Sequence, residues 1–241
     1  MESVSHKDAK NCYHARFRLQ RHYKGETYQL QLDSHHRVVK DWDTKLIKML
    51  HSCDAGDKSV LTVYARPFGQ ADAKDGYSDD IFAEGPVVAM SHYENREDGM
   101  PAWKGRSVEK NAHALIRPWE TPLASGHFCF SKGHLLENAG HDGDFENNFS
   151  WEEIWMAYAY WKAGYTLYAP NEVVIYHNYD RSYRPQFAPD AAAEAEDQGQ
   201  GYEKTYQKNS GRMREIIFGD PEFRRYMDKK WGVDLLGRSG S

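Results

Sequence analysis

Alternation of apolar and polar positions predicts several strands along the chain. In residues 27–32, Tyr28, Leu30 and Leu32 alternate with polar residues, as a strand with one buried face requires. Short runs rich in β-branched, aliphatic or aromatic residues predict further strands at 59–65, 86–91, 166–169 and 173–177. Residues 124–131 predict a turn of small residues that leads into a buried strand, where Gly126 permits close approach of another group to the backbone.

Helical periodicity is strongest in two segments. Apolar residues with mostly 3.6-residue spacing predict a helix from Asp41 to Ser52, with carboxylates at its start to cap it. The clearest helix spans 151–163, where one stripe consists of Ile154, Ala157, Tyr158 and Trp161. Ser150 as N-cap, Glu153 as its capping-box partner and Gly164 just past the end predict the limits of this helix.

Strands that alternate with helices indicate an α/β fold. We expect residues 1–185 to form the main domain, with insertion-like loops at 66–120 that are rich in Gly, Asp and Lys. Residues 186–200 are poor in large apolar side chains and predict a linker. Residues 201–241 predict a small helical appendage with helices at 202–218 and 221–230.

Composition excludes several classes of protein. The 241 residues carry a net charge of −5, which excludes a basic nucleic-acid binder. No run approaches the roughly 18–20 apolar residues of a membrane span, and the N-terminus lacks the apolar core of a signal peptide. We therefore expect a cytoplasmic protein with no membrane partner. Three widely spaced cysteines predict reduced thiols and neither a disulfide framework nor a zinc ribbon.

Three polar residues at strand ends could bind a metal ion. Asp33 and His35, two residues apart where a strand stops, can offer a carboxylate oxygen and an imidazole nitrogen to one cation, a mixture that suits Mn²⁺. The alternative is a turn with an Asx hydrogen bond. His177 ends another strand and precedes Arg181 and Arg184; a histidine in this position, taken alone, is more often a hydrogen-bonded residue at a strand edge. A metal flanked by arginines is what a diphosphate leaving group needs.

Glu152 and Glu153 open the clearest helix. Capping and compensation of the helix dipole explain Glu153 well. That explanation applies less to Glu152, which could accept hydrogen bonds from a sugar or an acceptor hydroxyl.

Five ordered motifs between residues 11 and 185 resemble a known family. They are Ala15-Arg16 with Gly25-Glu26, Asp33-Ser34-His35 with Trp42-Asp43, ASGHFCFSKG from 124, WEEIWMAYAYWKAGYTLYAP from 151, and VVIYHNYDRS from 173. Together they resemble the GlcNAc-transferase family typified by the cytoplasmic enzyme that adds GlcNAc to hydroxyproline of the ubiquitin-ligase adaptor Skp1. The same parts are similar, more distantly, to polypeptide GalNAc-transferases.

The resemblance implies a GT-A glycosyltransferase with a mixed central sheet flanked by helices. It implies that the enzyme uses Mn²⁺, or Mg²⁺, to move GlcNAc from UDP-GlcNAc to a hydroxyl acceptor, with retention and with hydroxyproline of a protein as the family's typical target. By position, the metal ligands would be Asp33, His35 and His177. Arg16 and Arg181 would contact the diphosphate or uridine; Ala124, Ser125 and Gly126 would lie behind the donor sugar. Glu152, with Glu153 as second choice, would be the catalytic carboxylate.

In that family a nucleotide-binding half of roughly a hundred residues precedes the Ala-Arg motif, whereas only 14 residues precede Ala15. The expectation is a chain whose N-terminal nucleotide-binding half is truncated, lost or supplied elsewhere. One alternative is therefore an inactive remnant that binds sugar or protein. The other is a non-haem iron oxygenase, which uses two histidines and one carboxylate, although its usual order is His-x-Asp and not Asp-x-His.

Overall fold

The computed structural model describes residues 10–68, 87–96, 99–108, 116–145, 148–179 and 201–236. Its helices are α1 (Asn11–Gln20), α2 (Trp42–His51), α3 (Leu135–Ala139), α4 (Glu152–Lys162), α5 (Gly201–Gly219) and α6 (Pro221–Trp231). Its strands are β1 (Tyr28–Leu32), β2 (His36–Val38), β3 (Ser59–Thr62), β4 (Arg66–Pro67), β5 (Val87–Asn95), β6 (Pro101–Val108), β7 (Trp119–Glu120), β8 (Phe128–Lys132), β9 (Thr166–Ala169) and β10 (Ile175–His177).

A mixed five-stranded sheet forms the centre of the fold, in the order β1-β8-β3-β9-β7. Strands β3 and β9 are parallel, and the other neighbours are antiparallel. Val60 and Leu61 of β3 are fully buried, and helices α2 and α4 pack against the sheet. The predicted α/β class with a mixed, helix-flanked sheet is confirmed.

A smaller sheet brings distant parts of the sequence together at one end of the molecule. In it, β10 pairs antiparallel with β2 and parallel with β4. The register places His36 opposite His177, and the backbone N–H of Asn178 donates to the His35 carbonyl at 3.0 Å. The turn after β1 therefore lies beside the end of β10.

The predicted N-terminal caps of α2 and α4 are wrong, although both helices form. Asp41 precedes α2 with φ +57°, and its side chain accepts no capping hydrogen bond. Helix α4 has Trp151 at its N-cap position without a side-chain cap, so Ser150 and Glu153 form no capping box. Glu153 turns instead toward Gly126 and Tyr64. Gly164 does end this helix, with φ +79°, as expected.

Several elements were not predicted from periodicity: the short β2, β4, β7 and α3, and the longer α1 and β6. Helix α1 has the sequence NCYHARFRLQ, which shows no apolar stripe, and only Tyr13 of it is fully buried. Strand β6 pairs with β5 over its whole length in a long hairpin, of which only 86–91 was predicted as a strand. The alternation in β6 is weak because most of its side chains are exposed or half-buried.

The predicted tail helices form as α5 and α6. Phe223 of α6 is fully buried and packs on Tyr158 and Trp161 of α4, with ring centroids 5.1 Å apart in both pairs. The division into a main domain, a linker at 186–200 and an appendage stays a prediction, since residues 180–200 are outside the described ranges. In the described part of the chain, none of the helices has the length and apolar character that a membrane span requires.

Candidate active site

Asp33, His35 and His177 come together where β1 and β10 end. One ligand atom from each lies within 4.8 Å of the other two. His177 is 2% exposed, and neither of its ring nitrogens has a hydrogen-bond partner among the described residues. Its Nε2 faces Asp33 Oδ2 at 3.8 Å, which is too long for a direct hydrogen bond. A buried imidazole without partners beside a carboxylate fits a divalent cation bound between them.

Two further histidines surround His177. His36 Nδ1 donates to the Asp33 carbonyl at 2.9 Å, which leaves its Nε2 unprotonated. His127 Nε2 accepts from the Ala65 amide at 3.0 Å, so its Nδ1 carries the proton toward Ser125 Oγ. Burial and the neighbouring histidines lower the pKa of His127 to about 3. His127 is therefore a neutral ring that packs on His177, with centroids 4.6 Å apart.

Arg16 joins two carboxylates beneath the candidate metal site. Its Nη2 donates to Asp33 Oδ1 and its Nη1 to Glu152 Oε2, each at 2.5 Å. Burial alone would raise the pKa of Asp33, but the His177 side chain and the Arg16 guanidinium hold it well below its ordinary value. Asp33 is therefore an anion with one oxygen bound to Arg16 and the other facing His177.

The two adjacent glutamates have opposite environments. Glu152 is 2% exposed, and its Oε1 contacts His141 Nε2 at 2.9 Å. Burial alone would raise the pKa of Glu152, but Arg16 and His141 outweigh burial and lower it. Burial raises the pKa of Glu153 to about 7, although the Tyr64 hydroxyl and the Gly126 amide donate to it. One carboxylate is fixed as an anion and its neighbour titrates near neutrality, a division typical of acid–base sites.

The small-residue turn lies under this ion-pair network. Ala124 and Ser125 are fully buried, and of the three residues 124–126 only Gly126 lines the cavity. A Cβ on Gly126 would lie 3.1 Å from Glu152 Oε2 and 3.4 Å from Arg16 Nη1. The close approach expected at this glycine is therefore made by the Arg16–Glu152 ion pair.

A cavity of about 570 Å³ opens in front of these groups. Its lining includes Asp33, His177, Arg16 and both glutamates, together with residues in or next to the strands of the β5–β6 hairpin: Tyr93, Glu94, Arg96, Met100, Pro101, Ala102 and Trp103. The buried Nε1 of Trp103 has no hydrogen-bond partner in the described part of the chain. A cavity of this size, lined by both charged and aromatic side chains, suits a small polar ligand.

Some contributors to the site carry no local signal in the sequence. Tyr64, His127, His141 and the hairpin aromatics come from separate segments, and only the folded chain brings them to the predicted residues. Conversely, the predicted Arg181 lies outside the described residues.

Comparison with known proteins agrees with this fold. A crystal structure of GalNAc-T7 with UDP, GalNAc and Mn²⁺ matches with a TM-score of 0.56 and 14% sequence identity, over 94% of this chain and 38% of that chain. The chain thus spans less than two-fifths of that relative, and the fold is of its GT-A type. No curated protein matches significantly. The sequence model described as Glycosyltransferase (GlcNAc) matches residues 1–224, and the chain belongs to this GlcNAc glycosyltransferase family.

Proposed function

We propose that this chain is the catalytic part of a metal-dependent glycosyltransferase that moves GlcNAc from UDP-GlcNAc to a hydroxyl group. The observation that carries the proposal is the Asp33, His35 and His177 cluster, whose ligand atoms lie within 4.8 Å of one another beside the cavity of a GT-A fold. The related fold of GalNAc-T7 was crystallised with UDP and Mn²⁺, which supports a nucleotide sugar and a divalent ion as partners.

Asp33, His35 and His177 would hold Mn²⁺, or Mg²⁺. A bound cation of this kind neutralises charge on the oxygens of a departing diphosphate. Arg181, four residues after His177 in the sequence, would add a positive charge for the diphosphate. Gly126, backed by Ala124 and Ser125, would lie against the donor sugar. GlcNAc as the sugar is supported by the family's description, and retention of configuration rests on the resemblance alone.

Glu153 is the better catalytic carboxylate of the pair. Both glutamates line the cavity and both have their oxygens engaged, but Arg16 and His141 lower the pKa of Glu152, whereas burial raises the pKa of Glu153 to about 7. We assign it to the acceptor: the acceptor oxygen bonds to C1 of the sugar, the bond from C1 to the diphosphate oxygen breaks with its electron pair on UDP, and Glu153 takes the hydroxyl proton. Glu152 then becomes a supporting residue, in contrast to the order expected from the sequence.

The β5–β6 hairpin would contact the acceptor, since it lines the same cavity as Asp33 and His177. Tyr93 is 48% exposed, and Trp103 also lines the cavity, with its Nε1 buried. These aromatic rings suit an acceptor with an apolar ring, such as a hydroxyproline in a polypeptide. The hydroxyproline acceptor and a cytoplasmic location are further supported only by the resemblance.

A donor screen tests this proposal. UDP release from UDP-GlcNAc, UDP-GalNAc and UDP-glucose should be measured with and without Mn²⁺, using a hydroxyproline peptide as acceptor. We expect Mn²⁺-dependent release that is fastest with UDP-GlcNAc and is increased by the peptide. Preference for another donor would refute the GlcNAc assignment, and silence with every donor would favour the inactive remnant. Family membership already disfavours the iron oxygenase, although its ligand types are the same.

A further inference from the structure

We infer that Arg16 is a positioning residue that orients Asp33 toward the cation, with Glu152 as its buried anchor. This inference rests on the proposed function, because it concerns the metal site on which that function depends. It differs from the role implied by the resemblance, in which Arg16 would contact the donor directly.

The geometry of Asp33 supports this role. Arg16 Nη2 binds Oδ1 at 2.5 Å, while Oδ2 remains toward His177 at 3.8 Å. The planar guanidinium has a rigid fork of donors and places one nitrogen on each carboxylate, so Asp33 Oδ1 is held at a fixed position relative to Glu152 and Oδ2 is left to face His177. Asp33 directly follows β1, and the bond from His36 Nδ1 to its carbonyl holds its backbone but not its carboxylate, which Arg16 binds.

Glu152 is suited to anchor the guanidinium. It is buried at the start of α4, its Oε2 binds Arg16 Nη1 at 2.5 Å, and its Oε1 contacts His141 Nε2 at 2.9 Å. Gln20, on the same helix as Arg16, binds the backbone of His141 through both its amide nitrogen and its amide oxygen, at 2.6 and 2.7 Å. Two hydrogen bonds of one side chain therefore attach helix α1 to the loop at His141, and this attachment supports the position of Arg16 relative to Glu152.

The charge of Arg16 and its inferred role in orienting Asp33 predict opposite changes in cation affinity when Arg16 is removed, and this difference allows a test. Arg16 is a cation close to the site, so on charge alone its removal would strengthen binding of a second cation. If Arg16 instead orients Asp33, its removal weakens binding, because outer-shell partners of metal ligands typically contribute 10–100-fold to metal affinity. Arg16→Lys keeps the charge and loses the bridging fork, and therefore isolates orientation.

The experiment is a titration of the nucleotide-free chain with Mn²⁺, followed by calorimetry and by the electron paramagnetic resonance spectrum of the bound ion. We expect R16K, R16M and E152Q to bind Mn²⁺ about 10–100-fold more weakly than the wild type, with an altered spectrum. Arg21→Met removes an exposed cation at the end of the same helix and should change neither. Thermal melting of each variant shows whether it is folded, and R16K decides the question if R16M or E152Q is not.

Wild-type affinity in R16K, or tighter binding in R16M, would overturn the inference. If R16K binds Mn²⁺ normally and loses only affinity for UDP, Arg16 is a donor contact, as the resemblance implies. If the wild type does not bind Mn²⁺, the proposed function itself is contradicted. If the wild type and R16K bind Mn²⁺ equally well, only the role inferred for Arg16 is contradicted.

Discussion

Tyr64 and Glu153 share a hydrogen bond in which the phenol donates to the carboxyl Oε2 at 2.5 Å. The Gly126 amide donates to the other oxygen at 2.9 Å. Glu153 therefore has two donors and still has a raised pKa, because burial outweighs them. A carboxyl group with these properties affects both the stability of the fold and the chemistry of the cavity.

The first prediction concerns stability. Glu153 has a pKa of about 7 in the folded chain and an ordinary value near 4.5 when unfolded. Below pH 4.5 it is protonated in both states. As the pH rises from 4.5 to 7, the unfolded chain loses this proton first, so the folded chain loses stability, on the order of 3 kcal/mol in total.

Glu153→Gln should remove this loss, because an amide does not titrate. Urea unfolding should show that E153Q is more stable than the wild type at pH 8 and that the difference disappears near pH 4.5. Glu137→Gln, at an exposed position on α3, is the matched control and should follow the wild type. An identical pH dependence for E153Q and the wild type would show that Glu153 is not buried as a neutral acid.

The second prediction concerns turnover. If Glu153 takes the acceptor proton, its ionised form is the active one, and kcat/KM should increase as the pH rises through about 7. E153Q should lose about 10²–10⁴-fold in transfer. The measurement is the pH–rate profile of both proteins between pH 5.5 and 9. A flat profile for the wild type would remove Glu153 from the proton transfer.

The third prediction concerns Gly126. A methyl group at this position would press on Glu152 Oε2 and Arg16 Nη1, at 3.1 and 3.4 Å, and would displace the ion pair that holds Asp33. Gly126→Ala should therefore weaken Mn²⁺ binding. Gly219→Ala, at a glycine with no atom within 4 Å of an added methyl, should not. Calorimetric titration compares them, and normal Mn²⁺ affinity in G126A would show that the network tolerates displacement.

The fourth prediction concerns the acceptor. Tyr93→Ala removes a half-exposed ring that lines the cavity and should raise the KM for a hydroxyproline peptide about 2–10-fold, as expected for one aromatic contact. Hydrolysis of UDP-GlcNAc without acceptor should not change. Trp231→Ala removes an aromatic ring from α6, which does not line the cavity, and should have no effect. A change in donor hydrolysis would place Tyr93 on the donor side.

The juxtaposition of the candidate metal ligands could be predicted because they stand next to strand ends, which local alternation reveals, and because they match the motifs of the family that the chain resembles. Asp33, His35 and His177 are brought together as expected. The roles of the glutamates could not be predicted in the same way. The Ser150 and Glu153 spacing matches a capping box, yet tertiary partners, Tyr64 and Gly126, prevail over that local pattern.

The hairpin and α1 show the same limit of local patterns. Half-exposed strands and a helix with one buried side chain carry little periodicity, so β6 and α1 gave no clear signal. His141 is close to Glu152 only because α1 and the loop after α3 pack together. Such contacts depend on the whole fold and are absent from any short window of sequence.

The most direct test of metal-dependent transfer is UDP release from UDP-GlcNAc by the wild type and by Asp33→Ala, each with and without Mn²⁺. Asp43→Ala, which removes an exposed carboxylate from α2, is the control. We predict Mn²⁺-dependent release in the wild type and in D43A, and its loss in D33A. Release by D33A that depends on Mn²⁺ to the same extent as in the wild type would contradict the assignment of this site.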